Sequence, residues 1–216
     1  MKKCTVSSLI STLVLIVVMS IASPAQAQFD QTTFGAKAGF TAYSLTADNG
    51  SSETSDLRLG WTIGVFANVP LSPMFDFQPE LSFIQKGGQD SFSEGGLNID
   101  SNTILNYIEI PLLVRYNIPL ETEVLPYITA GPTFGYLVGA DVKVESDGSS
   151  ATTSIKDDLN AINVGVSLGL GLGLRQFSLD YRYEFGLTDL SDNDGMFGSD
   201  ATLKTNGFTV TLGYTF

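Results

Sequence analysis

The chain has 216 residues, with 11 Lys+Arg against 23 Asp+Glu for a net charge of -12, and is 43% hydrophobic but only 16% charged. It contains no histidine and a single cysteine, Cys4, which excludes Ser-His-acid and Cys-His nucleophiles, histidine metal sites, disulfides and zinc fingers. A protein this acidic repels phosphate backbones, so nucleic acid is excluded as a partner.

The first segment reads as an export signal. Met1-Lys2-Lys3 is basic, the run from Leu9 to Ala22 is apolar, and Pro24 is followed by Ala25-Gln26-Ala27. That order is a secretory signal peptide over residues 1–27, with cleavage expected after Ala27. Cleavage removes Cys4, Lys2 and Lys3, leaving residues 28–216 as one cysteine-free domain.

From there the pattern is alternation with period two. Phe34, Ala36, Ala38 and Phe40 oppose Gly35, Lys37, Gly39 and Thr41. Leu57, Leu59, Trp61, Ile63 and Val65 oppose Arg58, Gly60, Thr62, Gly64 and Phe66. Phe75, Phe77, Leu81 and Phe83 oppose Asp76, Gln78, Glu80 and Ser82. Ile108, Ile110, Leu112 and Val114 oppose Glu109, Pro111, Leu113 and Arg115. Ile128, Ala130, Phe134 and Tyr136 oppose Thr129, Gly131, Thr133 and Gly135. Val164 to Leu174 alternates with Gly165, Gly169, Gly171, Gly173 and Arg175. Phe177 to Leu187 alternates with Asp180, Arg182 and Glu184, and Phe208 to Phe216 alternates with threonine and glycine.

Eight such segments predict an all-β fold: an eight-stranded antiparallel up-and-down transmembrane β-barrel. The connections Ser44–Asp56, Gly87–Thr103, Gly139–Leu159 and Asp189–Thr202 are long and polar, while Pro70–Pro73, Pro119–Glu123 and Arg175-Gln176 are short. Alternating long and short connections fit long external loops and tight periplasmic turns. The glycine-rich faces suit a narrow interior. Its expected ion-pair network joins Lys37, Arg58, Lys86, Arg115, Arg175 and Arg182 to Asp76, Glu80, Glu109, Asp180 and Glu184. Glu109 is expected to pair with Arg115, and Asp180 and Glu184 with Arg182. Pro79, Pro111 and Pro132 fall within strands, where bulges are expected to accommodate them.

The stretches Asn106-Tyr107-Ile108-Glu109-Ile110-Pro111-Leu112-Leu113-Val114-Arg115-Tyr116 and Pro126-Tyr127-Ile128-Thr129-Ala130-Gly131-Pro132-Thr133-Phe134-Gly135-Tyr136, with Gly35-Ala36-Lys37-Ala38-Gly39 and a terminal aromatic, carry a resemblance. The chain resembles the PorT-like, "porin family" outer membrane β-barrel domain proteins of Bacteroidota over nearly all of Phe34 to Phe216. The resemblance implies an integral barrel in the bacterial outer membrane and no particular activity. Leu212, Tyr214 and Phe216 look like the C-terminal signal that barrel-assembly machinery reads. Outer-membrane lipid and that machinery are the implied partners.

Other motifs carry less. Asp189, Asp192, Asn193, Asp194 and Gly195 suggest a calcium loop but miss the EF-hand spacing. Gly169-x-Gly171-x-Gly173 lies inside a strand with no helix after it, so it is no dinucleotide site. Asn49-Gly50-Ser51 reads as a turn. Trp61, Tyr43, Tyr107, Tyr116, Tyr136, Tyr181, Tyr183 and Tyr214 are candidates for an interfacial aromatic belt. The expected function is a non-enzymatic barrel, free of cofactor and metal, with a plugged lumen and a structural or loop-binding role. A narrow diffusion pore and a soluble lipocalin-like binder are the alternatives.

Overall fold

The computed structural model describes residues 31–48, 52–94, 97–120, 122–146, 149–191 and 202–216. The expected leader, the Asn49-Gly50-Ser51 turn and Asp192-Asn193-Asp194-Gly195 lie outside them. The strands are β1 (Thr33–Asp48), β2 (Ser52–Thr54), β3 (Asp56–Pro70), β4 (Phe75–Glu94), β5 (Leu97–Asn117), β6 (Val124–Ser146), β7 (Ser149–Ser154), β8 (Ile162–Leu174), β9 (Phe177–Gly186) and β10 (Thr202–Thr215).

Neighbours in the sheet run β10-β9-β8-β6-β5-β4-β3-β1, and β1 pairs in turn with β10, from Gly35↔Thr215 to Asp48↔Thr202. Eight antiparallel strands therefore form a closed cycle. The short β2 and β7 add to β1 and β6 outside it. Closure gives each strand a partner on both sides, which a hydrocarbon environment requires.

The period-two pattern fixes which way the side chains look. On β3, Leu59 is 76% exposed while its neighbour Arg58 is 8% exposed. The same division runs around the cylinder: Phe40, Trp61, Ile63, Phe134, Leu170 and Leu212 are exposed outward, whereas Lys37, Glu80, Lys86, Glu109 and Arg182 are buried within. A soluble lipocalin-like barrel has the reverse arrangement, and that alternative is set aside. Leu170, 62% exposed on β8, supplies a direct check. Leu170→Arg should destabilise the protein in lipid vesicles by roughly 2–4 kcal/mol, read from urea midpoints, if that row sits near mid-bilayer.

Three expectations need correction. The prolines do not shift register. On β3–β4 the pairing skips from Phe66↔Glu80 to Val69↔Phe77 beside Pro79, on β4–β5 from Pro79↔Leu112 to Ser82↔Glu109 beside Pro111, and on β5–β6 from Pro111↔Thr133 to Val114↔Ala130 beside Pro132. Proline removes ladder bonds locally, but no residue is inserted, so side-chain parity is preserved. The register shifts occur elsewhere, between Leu57 and Thr62 on β3 and between Asn106 and Tyr107 on β5. Glycine marks both. Gly87, with φ 142°, faces the first, and Gly139 faces the second.

Among the described residues, three of the four long connections are also largely sheet. Residues 87–94 and 97–103 continue β4 and β5 as one hairpin, paired out to Glu94↔Leu97. Residues 141–146 pair with β7. Ser, Thr and Asn at these positions conceal the strands, because a sheet standing in water needs no apolar face. The turns at 71–74 and at Arg175-Gln176 are short, as expected.

Thirdly, the interior is not polar throughout. At the long-loop end, Tyr43, Ile84, Leu105, Tyr107, Leu137, Ala140, Ile155, Leu159, Leu190 and Leu203 form one buried apolar cluster. Ile155, Leu159 and Leu190 come from connections that are otherwise polar.

Candidate functional site

Within the eight-strand cycle the charged side chains stack in layers. β4 and β9 rise from the short-turn end and β5 descends toward it. Asp76, Glu80 and Lys86 therefore climb on one strand, Asp180, Arg182 and Glu184 on another, and Glu109 stands above Arg115 on the third.

Nearest the short turns, Arg115 lies 4.0 Å from Asp76. Asn117 bridges them: Arg115 Nε donates to its Oδ1 at 2.8 Å and its Nδ2 donates to Asp76 at 2.7 Å. The guanidinium lies 3.5 Å from the centre of the Tyr127 ring, a cation–π stack. Gly171 makes room for that ring, since a Cβ there would meet it at 2.1 Å.

In the middle layer Glu80 takes two cations. Lys37 pairs with one carboxylate oxygen. Arg182 Nη1 reaches both oxygens at 2.8 and 2.9 Å, and its Nη2 pairs with Asp180 at 3.0 Å. Gln78 adds a donor to Glu80 at 2.7 Å. Two cations face two carboxylates, so the layer is neutral.

Above it, Lys86 Nζ lies 2.5 Å from Glu109 and 2.5 Å from Glu184. Tyr43 donates its hydroxyl to Glu184 at 2.9 Å. The Tyr43 and Tyr107 rings flank the ammonium at 5.1 and 5.6 Å. A cavity of about 30 Å³ separates these layers, bordered by Thr62, Ser82, Thr133, Ser167 and Thr209 as well as the charges. It has room for a water molecule or two.

The pairing differs from expectation in four places. Glu109 is held by Lys86, because Arg115 is six residues further along the same strand, about 20 Å away at ~3.3 Å per residue. Arg182 binds Asp180 and Glu80, while Glu184 turns to Lys86. Arg175 is outside the interior altogether, exposed on the β8–β9 turn with φ 53°. Arg58 does enter the lumen, but its partner is Asn102, through Nε to Oδ1 at 2.7 Å. Among the described residues it has no carboxylate partner. Of the proposed belt residues, Tyr43 and Tyr107 are buried inside instead. Trp61, Tyr136, Tyr181 and Tyr214 face outward, as do Leu212 and Phe216 at the end of the chain.

The apolar cluster closes over these layers. Leu190 is fully buried because its flanks are tied down. Asp189 Oδ1 accepts from the Ser191 backbone N–H at 3.0 Å, the Ser191 hydroxyl at 2.8 Å and the Leu203 N–H at 2.8 Å. Asn160 Nδ2 donates to the Asp189 and Ser191 carbonyls at 3.0 and 2.9 Å. Asp189, the described part of the suggested calcium loop, thus spends its carboxylate on N–H and O–H donors. Partial burial pushes its pKa up, yet these hydrogen bonds prevail and hold it below the ordinary carboxylate value. The latch is accordingly present above that value and loosens as acid protonates it. Asp189→Ala should raise protease cleavage between residues 187 and 203 at neutral pH. Acidifying the wild type through and below the ordinary carboxylate range should produce the same change, with the barrel intact on a gel. Outside the cap, Gln89, Asp90, Ser91, Asp100, Ser101, Asn102, Lys143 and Glu145 border an open polar cup of about 300 Å³.

The sequence profile of the outer membrane protein beta-barrel domain matches residues 25–192. The chain belongs to that family. No curated protein matches it. Among solved structures it is similar to Ail, the attachment invasion locus protein of Yersinia pestis, in complex with the heparin analogue sucrose octasulfate (17% identity, 87% of this chain and 100% of that one, TM-score 0.46). It is also similar to Neisserial surface protein A (13%, 87% and 100%, 0.44) and to OprG of Pseudomonas aeruginosa (10%, 85% and 95%, 0.45). This outer membrane β-barrel family member thus has its apolar strand faces where lipid is.

Proposed function

We propose that this outer-membrane barrel is a non-conducting, non-enzymatic protein that anchors external hairpins at the cell surface. The observation that carries the reading is the stacked lumen: three charged layers below an apolar cap, with only about 30 Å³ left between the upper two. Ion pairs and packed side chains fill an eight-stranded interior readily. The lumenal carboxylates are held by cations and donors, which supports a structural rather than a catalytic role for them. The polar cup and the β4–β5 and β6–β7 hairpins supply the surface for loop-mediated binding. Within the family, the stretches 106–116 and 126–136 support a PorT-like member from Bacteroidota. Export by a leader cleaved after Ala27, and recognition of Leu212, Tyr214 and Phe216 by assembly machinery, complete the proposal.

Planar-bilayer recording tests it. The purified protein should give no reproducible conductance steps. Stable, ion-selective steps would establish the narrow diffusion pore in its place.

A further inference from the structure

We propose that the lipid-facing wall at the β1–β10 seam binds one phospholipid of the periplasmic leaflet, with its phosphate on Arg175 and an acyl chain in the hollow beside it. The proposal rests on the outer-membrane reading and goes beyond it by naming a site and its ligand chemistry.

The hollow has a volume of about 240 Å³ and is bordered by Ala36, Ala38, Ile63, Phe177, Leu212 and Tyr214. Its origin is local. Two successive outward positions of β1 are alanine, while the adjoining strands present Ile63 on one side and Leu212 and Tyr214 on the other. In hydrocarbon no water fills such a trough, and an empty one forfeits dispersion contacts along its whole lining.

The second observation concerns charge. The foot of the hollow is the Phe177–Tyr214 pair, whose ring centres are 5.3 Å apart. Immediately before Phe177 comes the Arg175-Gln176 turn. It is fastened to the end of β10, with the Thr215 N–H donating to the Gln176 carbonyl at 2.8 Å and the Tyr214 hydroxyl to its side chain at 3.4 Å. Arg175 is exposed there and has no ion-pair or hydrogen-bond partner among the described residues. Short turns lie at the periplasmic interface, the level of lipid headgroups. An arginine offers phosphate a planar two-pronged donor. A phosphate next to a long apolar chain is what a phospholipid supplies, and the two halves together suit neither a wholly polar nor a wholly apolar ligand.

Native mass spectrometry of the detergent-purified barrel provides the test, with added phosphatidylglycerol or with diacylglycerol of the same chains. The wild type should retain one phosphatidylglycerol, roughly three- to fivefold better than diacylglycerol, the range an exposed ion pair supplies. Arg175→Gln should bring that ratio close to one. Ala38→Phe, which fills the hollow from the lipid side, should remove both adducts. Heat-modifiable mobility of the same samples reports separately whether each protein is a folded barrel. Equal retention of the two lipids, an unchanged ratio in Arg175→Gln, adducts surviving in folded Ala38→Phe, or a protein dimer in place of the lipid adduct would each overturn the site. The wild-type and Arg175→Gln comparison stands even if Ala38→Phe does not fold.

Discussion

Lys86→Met is expected to destabilise the barrel by about 3–5 kcal/mol, the cost of leaving buried charge without its partner. Lys86 is 1% exposed and is the cation that both Glu109 and Glu184 contact. Methionine keeps the length of the side chain and its apolar stem, so the loss isolates the charge. Two carboxylates would then face each other, with the Tyr43 hydroxyl still donating to Glu184. Glu109→Gln and Glu184→Gln added to Lys86→Met should recover most of the stability, because the triad is then neutral without the lysine. Reversible urea unfolding in vesicles at neutral pH compares the single and the triple variant with the wild type. A loss under 1 kcal/mol for Lys86→Met would show that the triad does not carry the charges assigned to it.

Glu80→Ala should have an effect of similar size, about 3–5 kcal/mol, with a different rescue. Glu80 is the carboxylate between Lys37 and Arg182. Without it both cations are left short, although Arg182 keeps Asp180. Lys37→Met in the Glu80→Ala background therefore restores a balanced Arg182–Asp180 pair and should regain much of the loss. Arg182→Met in the same background strands Asp180 beside Lys37 and should regain less. Both double variants hold one cation and one carboxylate, so the contrast between them reads the direct Arg182–Asp180 pairing rather than the charge count.

Much of the barrel was legible in the sequence because lipid is a strict reader of period two. The rows from Phe34, Leu57, Phe75, Ile108, Ile128, Val164, Phe177 and Phe208 mark eight strands, and glycine opposite them marks the narrow side. Beyond the Asp180–Arg182 pair, two residues apart on one strand, charge partners were not legible. Glu109 and Arg115 share a face and look paired on paper, but pairing depends on strand register and side-chain reach, which deliver Lys86 from the adjoining strand β4 to Glu109 instead. The bulges were misplaced because proline advertises a backbone irregularity more loudly than Gly87 or Gly139 does. The apolar cap was missed although a signal existed: Ile155, Leu159 and Leu190 are isolated aliphatic residues in otherwise polar connections. The upper hairpins are nearly silent, since Ser, Thr and Asn form solvated strands without a hydrophobic row.

The seam between β1 and β10 joins the two ends of the barrel's strand order. Every other wall contact joins strands that follow one another along the chain, whereas Gly35 meets Thr215 only after nearly all the intervening sequence is in place. That closure carries the greatest chain-entropy cost, and until it occurs an inserted sheet would expose two raw backbone edges to hydrocarbon. Zipping the seam and entering the bilayer must therefore proceed together. Once joined, the ring can reopen only by stripping a full strand of hydrogen bonds in a solvent that offers none in exchange, which makes for slow maturation and a long-lived native state.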